Sequence, residues 1–367
     1  MKRILSILIA CILCITSLVG CSGKSTQPTT GLSNAPNSSS SASSGDNNKV
    51  PQKNSFSMYS CYVEAEVAAL VEAFTKETGI KVNYVRLSAG EMQARVEAEK
   101  ENPRVAMIFG MGVDLAMAMD EAGLLDPYVP SNIDQIYPEY IDPKGVYVPL
   151  HMIITCFGSN TDWLKKNGLE PPTSWKDLLD PRYKNAISWA HPATSGAAYA
   201  VFSTIIQSMG EEEGFKYLKE LDKNVTVYTK AGAAPFTSAG LGECGVAIGY
   251  SDNAQTVVDH GYPIVITYPK EGAGYGITCA AMVKGGPADE VEAAQKFIDW
   301  LISENAMKIA TSEFNQYSLN KNVESDPKMV TFDQINKIKY DFKWSSENKA
   351  AICERFEAEV RSSSDAK

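Results

Sequence analysis

From residue 56 onward the chain switches between two hydrophobic periods. Residues 56–62 form a short apolar run, after which Val67, Leu70, Val71 and Phe74 recur on one helical face. Gly79 closes that helix, and 80–87 reads as a second strand. Ser88-Ala89-Gly90-Glu91 has the form of a capping box, a hydroxyl followed three residues later by a carboxylate, and opens a helix to about residue 100. Residues 105–109 are uninterruptedly apolar, as in a parallel sheet covered on both faces. Gly110-Met111-Gly112 is expected to break that strand ahead of a helix over 113–122. Three strand–helix units in series predict an α/β lobe.

The character changes at 147–157, a long and almost wholly apolar strand that is expected to leave the first lobe and enter a second. Further strands follow at 186–189, 225–228, 245–250, 263–267 and 277–283, the last two expected to return to the first lobe. Helices are expected over 214–221, from Pro287 to Leu301, near 331–340 and over 347–361. No internal repeat of fixed period is present.

One connection carries more chemistry than the others. Between the strand ending at Trp189 and a helix marked by Tyr199, Phe202, Ile205, Ile206 and Met209 lie His191-Pro192-Ala193-Thr194-Ser195-Gly196-Ala197. Two hydroxyls and a glycine at a helix N-terminus offer unpaired N–H groups and the positive end of the dipole to an anion. The same residues also suit an ordinary N-cap, so both readings stand at this point.

The N-terminus adds a location. Lys2 and Arg3 precede an apolar run ending in Leu18-Val19-Gly20-Cys21, so 1–20 reads as a secretory signal too short to span a membrane. The last four residues resemble a lipobox, which implies that Cys21 is lipidated and anchors the mature chain to the membrane. Residues 21–54 are Ser, Thr, Asn, Gln, Pro and Gly with few large apolar side chains, and are expected to be a disordered tether. Removing the signal takes away two basic residues and no acid, moving the formal charge from −10 to −12. That balance argues against a nucleic-acid partner. Cys61, Cys156, Cys244, Cys279 and Cys353 are odd in number and widely spaced, and read as buried free thiols.

Four stretches then carry a family resemblance: Leu87-Ser88-Ala89-Gly90-Glu91, the Trp189–Tyr199 turn, Gly249-Tyr250-Ser251-Asp252 and Tyr268-Pro269-Lys270-Glu271-Gly272. In order and spacing they resemble type II periplasmic solute-binding proteins of ABC importers, in the branch of ferric-ion, hexose-phosphate and 2-aminoethylphosphonate binders. The resemblance implies a two-lobed α/β fold whose ligand cleft lies between lobes joined by crossing strands. It implies lobes of 55–152 with 262–305 and of 153–261 with 306–367. It implies a monomeric, lipid-anchored receptor, working outside the cytoplasm with a permease and an ATPase subunit, without catalysis or a resident cofactor. The ligand-binding candidates are Thr194, Ser195, Gly196, Ala197, Ser88, Gly90, Tyr62, Gly110, Tyr250, Ser251, Asp252 and Glu271. Ferric binders of this branch use adjacent tyrosines, a histidine and a first-lobe acid. Here the corresponding stretches read Tyr250-Ser251-Asp252, Cys61-Tyr62 and Phe109-Gly110, so a small organic anion is expected before iron, and no metal site. A sensor role and a secreted α/β hydrolase are the remaining alternatives, although no G-x-S-x-G, HExxH or Walker motif is present.

Overall fold

The computed structural model describes residues 52–361. The signal, Cys21 and nearly all of the tether fall outside the described residues. The last tether positions do not float free: the Lys53 N–H donates to the Asp289 carbonyl at 2.6 Å, its ammonium pairs with Asp289 and Glu290, and Asn54 reaches the Gly79 carbonyl.

The first half is built as its periodicity suggests. Strand β1 (Ser55–Ser60) leads into α1 (Glu64–Thr78), which buries Val67, Leu70 and Phe74 and stops at Gly79 in the left-handed region. β2 (Lys81–Arg86) is followed by α2 (Ala89–Ala98), whose capping box is complete: the Glu91 N–H reaches the Ser88 hydroxyl and the Glu91 carboxylate takes the Ser88 N–H. β3 (Met107–Gly112) runs on through the glycines that were expected to end it, and α3 (Val113–Glu121) follows directly. The reason is a bulge: Cys279 and Ala280 face Met111 and Phe109, leaving Gly110 unpaired at φ +87°. A Cβ there would lie 2.4 Å from the Tyr62 Cβ, so glycine lets that ring settle on the strand.

After the two-residue β4 (Leu125–Asp126), β5 (Val148–Asn160) is a 13-residue strand with every residue buried. Then come α4 (Thr161–Asn167), β6 (Ile187–Ala190), α5 (Gly196–Met209) and α6 (Glu211–Asp222). They continue into β7 (Val225–Thr229), α7 (Ala234–Gly240), β8 (Val246–Tyr250) and α8 (Ser251–Asp259). The chain closes with β9 (Ile264–Thr267), β10 (Tyr275–Val283), α9 (Val291–Leu301), α10 (Glu304–Phe314), β11 (Tyr317–Ser318) and α11 (Phe342–Arg355). Helix α9 therefore begins four residues after Pro287. Around 331–340 only a 3₁₀ turn forms, because Asn336 and Ile338 spend their backbone groups on Ala273 instead of on a helix.

The strand order is β2-β1-β3-β10-β5-β8-β6-β7. The first half of β5 pairs antiparallel with β10 and β11, and its second half with β8 and β9. Two cores flank this shared strand. One gathers Phe56, Phe74, Phe109, Phe297 and Trp300; the other gathers Trp175, Trp189, Phe202, Phe215 and Phe356. Trp189 lies flat on Phe202 at 4.2 Å, and truncating either ring would cost about 3–5 kcal/mol.

Two of the expected lobe assignments are corrected by these contacts. Ile264 of β9 packs with Cys156 and Phe236 on the second-lobe side, since β9 pairs with the far end of β5. Ala306, Met307, Tyr317, Leu319 and Ile335 lie in the first core, because α10 turns its small apolar face there. Only past residue 335 does the chain cross over, burying Ile352, Phe356 and Val360 at helical spacing in the second core. The lobes are thus bridged three times: by β5, by 268–274 and by 336–341.

At these crossings sits a polar group with little water access. Glu66 of α1 lies 4.0 Å from the His151 ring of β5, and Gln316 Nε2 donates to both Glu66 at 3.5 Å and Asp252 of α8 at 3.3 Å. Burial pushes the Glu66 carboxyl well up, lifts Asp252 to about 6, and lowers His151 to about 3. The signs oppose. Asp252, raised from 3.8, contributes stability present below pH 4 and lost as pH rises through 6. His151, depressed from 6.5, contributes stability present above that value and lost as pH falls toward 3. Glu66, raised from 4.5, acts in the same direction as Asp252, so two acids outweigh one imidazole and the unfolding free energy of the intact protein is expected to fall as pH rises from 4.5 to 6. In Asp252→Asn the remaining Glu66 and His151 slopes should largely cancel, leaving stability nearly level over the same window. Urea titrations at half-unit pH steps measure this, and matching profiles for the two proteins would refute it.

Candidate functional site

The cleft is built outward from the α5 N-terminus. β6 ends at Ala190, and the His191 carbonyl accepts the Thr194 and Ser195 N–H groups, turning the chain into the helix. Ser195 is the N-cap, its hydroxyl accepting the Ala198 N–H at 3.2 Å. The Gly196 and Ala197 N–H groups have no acceptor among the described residues. The ordinary cap and the free donors coexist: the cap satisfies the third N–H of the helix and leaves the first two facing the cleft. The Ser195 hydroxyl also keeps its own proton to donate.

Thr194 and Ser88 line the same cleft, yet their hydroxyls are already spent. Thr194 donates to the Lys230 carbonyl at 3.0 Å, and Ser88 donates to the Glu91 carboxylate at 2.8 Å. Thr194 thereby fixes the loop that carries Lys230, whose ammonium lies at the cleft wall 2.5 Å from Glu91. Lys230, with the Ser88 cap, holds the Glu91 carboxyl down at about 2. Arg86, at the carboxyl end of β2, lines the opposite wall and donates to the Tyr62 carbonyl at 2.9 Å.

The remaining walls come from distant chain. Tyr62, Gly110, Asp114 and Ile153 belong to the first-lobe side and the β5 crossing, and Tyr250 and Asp252 to the α8 turn. Tyr275, Thr278, Tyr340 and Phe342 come from β10 and the last crossing. Tyr275, Tyr340 and Phe342 form an aromatic wall with ring centroids 4.9–6.0 Å apart. Burial raises the Tyr62 and Tyr250 hydroxyls well above the usual phenol range, so both stay protonated. Asp114 is also raised by burial, with Lys349 and Ser345 acting to lower it.

Of the sequence candidates, Thr194, Ser195, Gly196, Ala197, Ser88, Tyr62, Gly110, Tyr250 and Asp252 all face this cleft. Three do not. Gly90 packs where a Cβ would lie 2.7 Å from the Ala193 carbonyl, at the touch of the two lobes. Ser251 is buried at the start of α8. Glu271 accepts a hydrogen bond from Ser174, outside the lining. Arg86, Lys230 and Asp114 were missed, although each stands at the carboxyl end of a strand or in the turn after it, where α/β sites gather. Tyr340 and Phe342 had no local signal, because a crossing 65 residues after Tyr275 brings them there.

The arrangement suits binding better than turnover. Burial pushes the Cys61 thiol up to about 12, so it is no thiolate nucleophile near neutral pH. His191 is engaged by Glu357 and stacks edge-on to Phe356, and His151 lies behind the cleft. Among the described residues no nucleophile–base pair faces the cleft.

Residues 69–335 match the model of the bacterial extracellular solute-binding protein family. A protein of Haemophilus influenzae without an assigned function is 34% identical over 299 residues, 79% of this chain and 86% of the relative. A putative 2-aminoethylphosphonate-binding periplasmic protein of Salmonella typhimurium is 28% identical, over 64% of this chain and 68% of its own. Among solved structures, the periplasmic binding protein AfuA of Actinobacillus pleuropneumoniae, with exogenous fructose-6-phosphate bound, superposes with a TM-score of 0.80 at 30% identity. It covers 83% of this chain and 98% of its own. With its two lobes, its three crossings and its cleft of helix N-termini, the chain belongs to the bacterial extracellular solute-binding protein family, the solute-capturing components of ABC importers.

Proposed function

We propose that this protein captures a small organic anion bearing a phosphate or phosphonate group and delivers it, unreacted, to a membrane permease. The observation that carries the reading is the pair of free N–H groups at Gly196 and Ala197, with the Ser195 hydroxyl, Lys230 and Arg86 beside the same cleft. Backbone donors at a helix N-terminus, two cations and a hydroxyl together match a tetrahedral oxyanion. The fructose-6-phosphate in AfuA and the phosphonate in the Salmonella relative's name agree with that chemistry. The protein is placed outside the cytoplasm and tethered through acylated Cys21, on the strength of the lipobox and the serine-rich stretch after it.

Iron is the weaker reading. Ferric capture needs tyrosinate donors, whereas no two tyrosines adjoin in this sequence and Tyr250 is followed by Ser251 and Asp252. With Fe(III)-citrate the protein should show no visible charge-transfer band; a band abolished by Tyr250→Phe would make iron the cargo.

The anion reading is tested by calorimetric titration of sugar phosphates and alkyl phosphonates. Ser195→Ala should weaken binding about ten- to a hundredfold, the loss of one charge-assisted hydrogen bond of roughly 1.5–3 kcal/mol, while costing about 1 kcal/mol of stability as a lost cap. Gly196→Asp is the cleaner variant. A Cβ there meets only the Ala89 Cβ at 3.8 Å, and an acid in the first turn favours the helix, so the fold should be untouched while binding is lost. Retained affinity in Gly196→Asp removes the anion from this turn. For the anchor, Cys21→Ala should abolish metabolic fatty-acid labelling, and undiminished labelling would defeat it.

A further inference from the structure

The turn that opens α5 hangs on a residue that does not line the cleft. His191 is fixed to the sheet, its N–H donating to the Thr229 carbonyl of β7 at 2.8 Å. Its own carbonyl accepts the Thr194 and Ser195 N–H groups, and its ring Nδ1 accepts the Ala193 N–H at 3.2 Å. Pro192 has no N–H, so every main-chain donor from there to the N-cap is spent on this one residue. In a turn with proline second, the first position favours Asn, Asp or Ser, whose short side chain takes the N–H two residues on. His191 Nδ1 stands in for that acceptor. The Ala193 peptide it orients lies with its carbonyl against Gly90 of α2, and Thr194, Ser195 and Gly196 of the cleft follow directly.

The ring is itself held from behind. Its Nε2 meets the Glu357 carboxylate, 166 residues away in sequence, which arrives only because the chain returns to the second lobe after its last crossing. Phe356 and Tyr228 stand edge-on to the ring at 5.5 and 6.4 Å. Because Nδ1 accepts a hydrogen bond, the imidazole proton lies on Nε2 and is donated to Glu357. The two bonds together select one tautomer and one ring orientation. A ring that only filled space between Phe356 and Tyr228 would need neither.

We propose that His191 is a positioning residue for solute binding: its Nδ1, aimed by Glu357, holds the Ala193 peptide so that the Ser195 hydroxyl and the Gly196 and Ala197 N–H groups converge on the anion. The histidine touches no solute. The inference rests on the anion reading above and adds the pair of side chains that sets the geometry of that turn.

Two variants of nearly equal shape isolate the acceptor. The full-length protein, His191→Leu and His191→Asn are titrated calorimetrically with glucose 6-phosphate and with propylphosphonate, with unliganded melting curves recorded beside them. The Asn side-chain oxygen can take the Ala193 N–H, and Leu has nothing to offer it. His191→Leu should weaken both probes roughly five- to tenfold through the lost hydrogen bond, and His191→Asn should recover most of that loss. A packing role predicts the reverse order, since Leu suits the space beside Phe356 and Tyr228 better than Asn does. Asn binding no tighter than Leu, or Leu binding as tightly as the intact protein, therefore overturns the proposal. Glu357, with its side chain 55% exposed, can be removed without disturbing the fold. Glu357→Ala should weaken binding about two- to threefold beside His191 and add no loss in the His191→Asn background, as coupled residues do. An equal loss in both backgrounds overturns the Glu357 clamp. If the intact protein binds neither probe, the anion reading itself falls and the positioning role with it.

Discussion

One strand serves two sheets, and the rest of the molecule is arranged around that fact. β5 gives its first half to β10 and β11 and its second half to β8 and β9, with all of its residues buried. Neither lobe can complete its sheet without it, so the lobes are fixed side by side with the cleft between them. The strands that feed the cleft end there, and helices α3, α5 and α8 begin there. Unpaired N–H groups and helix dipoles therefore collect at one place without any residue being selected for it. Three narrow crossings allow the lobes to turn about β5 while each core stays packed, the geometry of hinge closure around a ligand.

Within that frame, capping and binding compete for the same hydroxyls. Ser88 is consumed by its own capping box and Thr194 by the Lys230 carbonyl, so two residues that look like ligand donors are fasteners. Ser195 accepts from Ala198 while its own proton stays available. The groups left without an acceptor among the described residues are the main-chain N–H groups of Gly196 and Ala197, which no side-chain pattern announces. Glycine at the first helical position keeps the approach open.

The class of fold was legible because periodicity and punctuation act locally. Val67, Leu70 and Phe74 could belong only to a helix face, Gly79 had to end it, and Ser88 with Glu91 had to begin the next. The turn that caps α5 at Ser195 was readable for the same reason. What sequence could not show was long-range. Gly110 reads as a strand breaker, but its partner is Tyr62, and the bulge opposite Cys279 uses it to prolong the strand. Residues 306–335 look like any C-terminal segment until α10 and β11 are seen in the first core. Tyr340 and Phe342 reach the cleft only because the chain crosses once more. Glu66 and His151 were hidden differently, each sitting in an apolar stretch where a buried acid or imidazole has no pattern of its own.

The contact between the lobes at the mouth of the cleft shows how closure is balanced. Glu91 of α2 and Lys230 of the second lobe pair at 2.5 Å, with side chains 48% and 64% exposed. A pair so open to water is worth about 0.2–1 kcal/mol, too little to hold two lobes together. Beside it Gly90 abuts the Ala193 carbonyl, a contact that permits approach but adds little attraction. Closure must then draw its free energy from the solute, because only a ligand touching both lobes binds the closed form better than the open one. The same weakness serves release. In the anion complex proposed above, Lys230 exchanges the Glu91 carboxylate for the solute's anion and back again with little change in its own electrostatic energy. A receptor that must hand over its cargo gains by having a clasp that does not outlast the ligand.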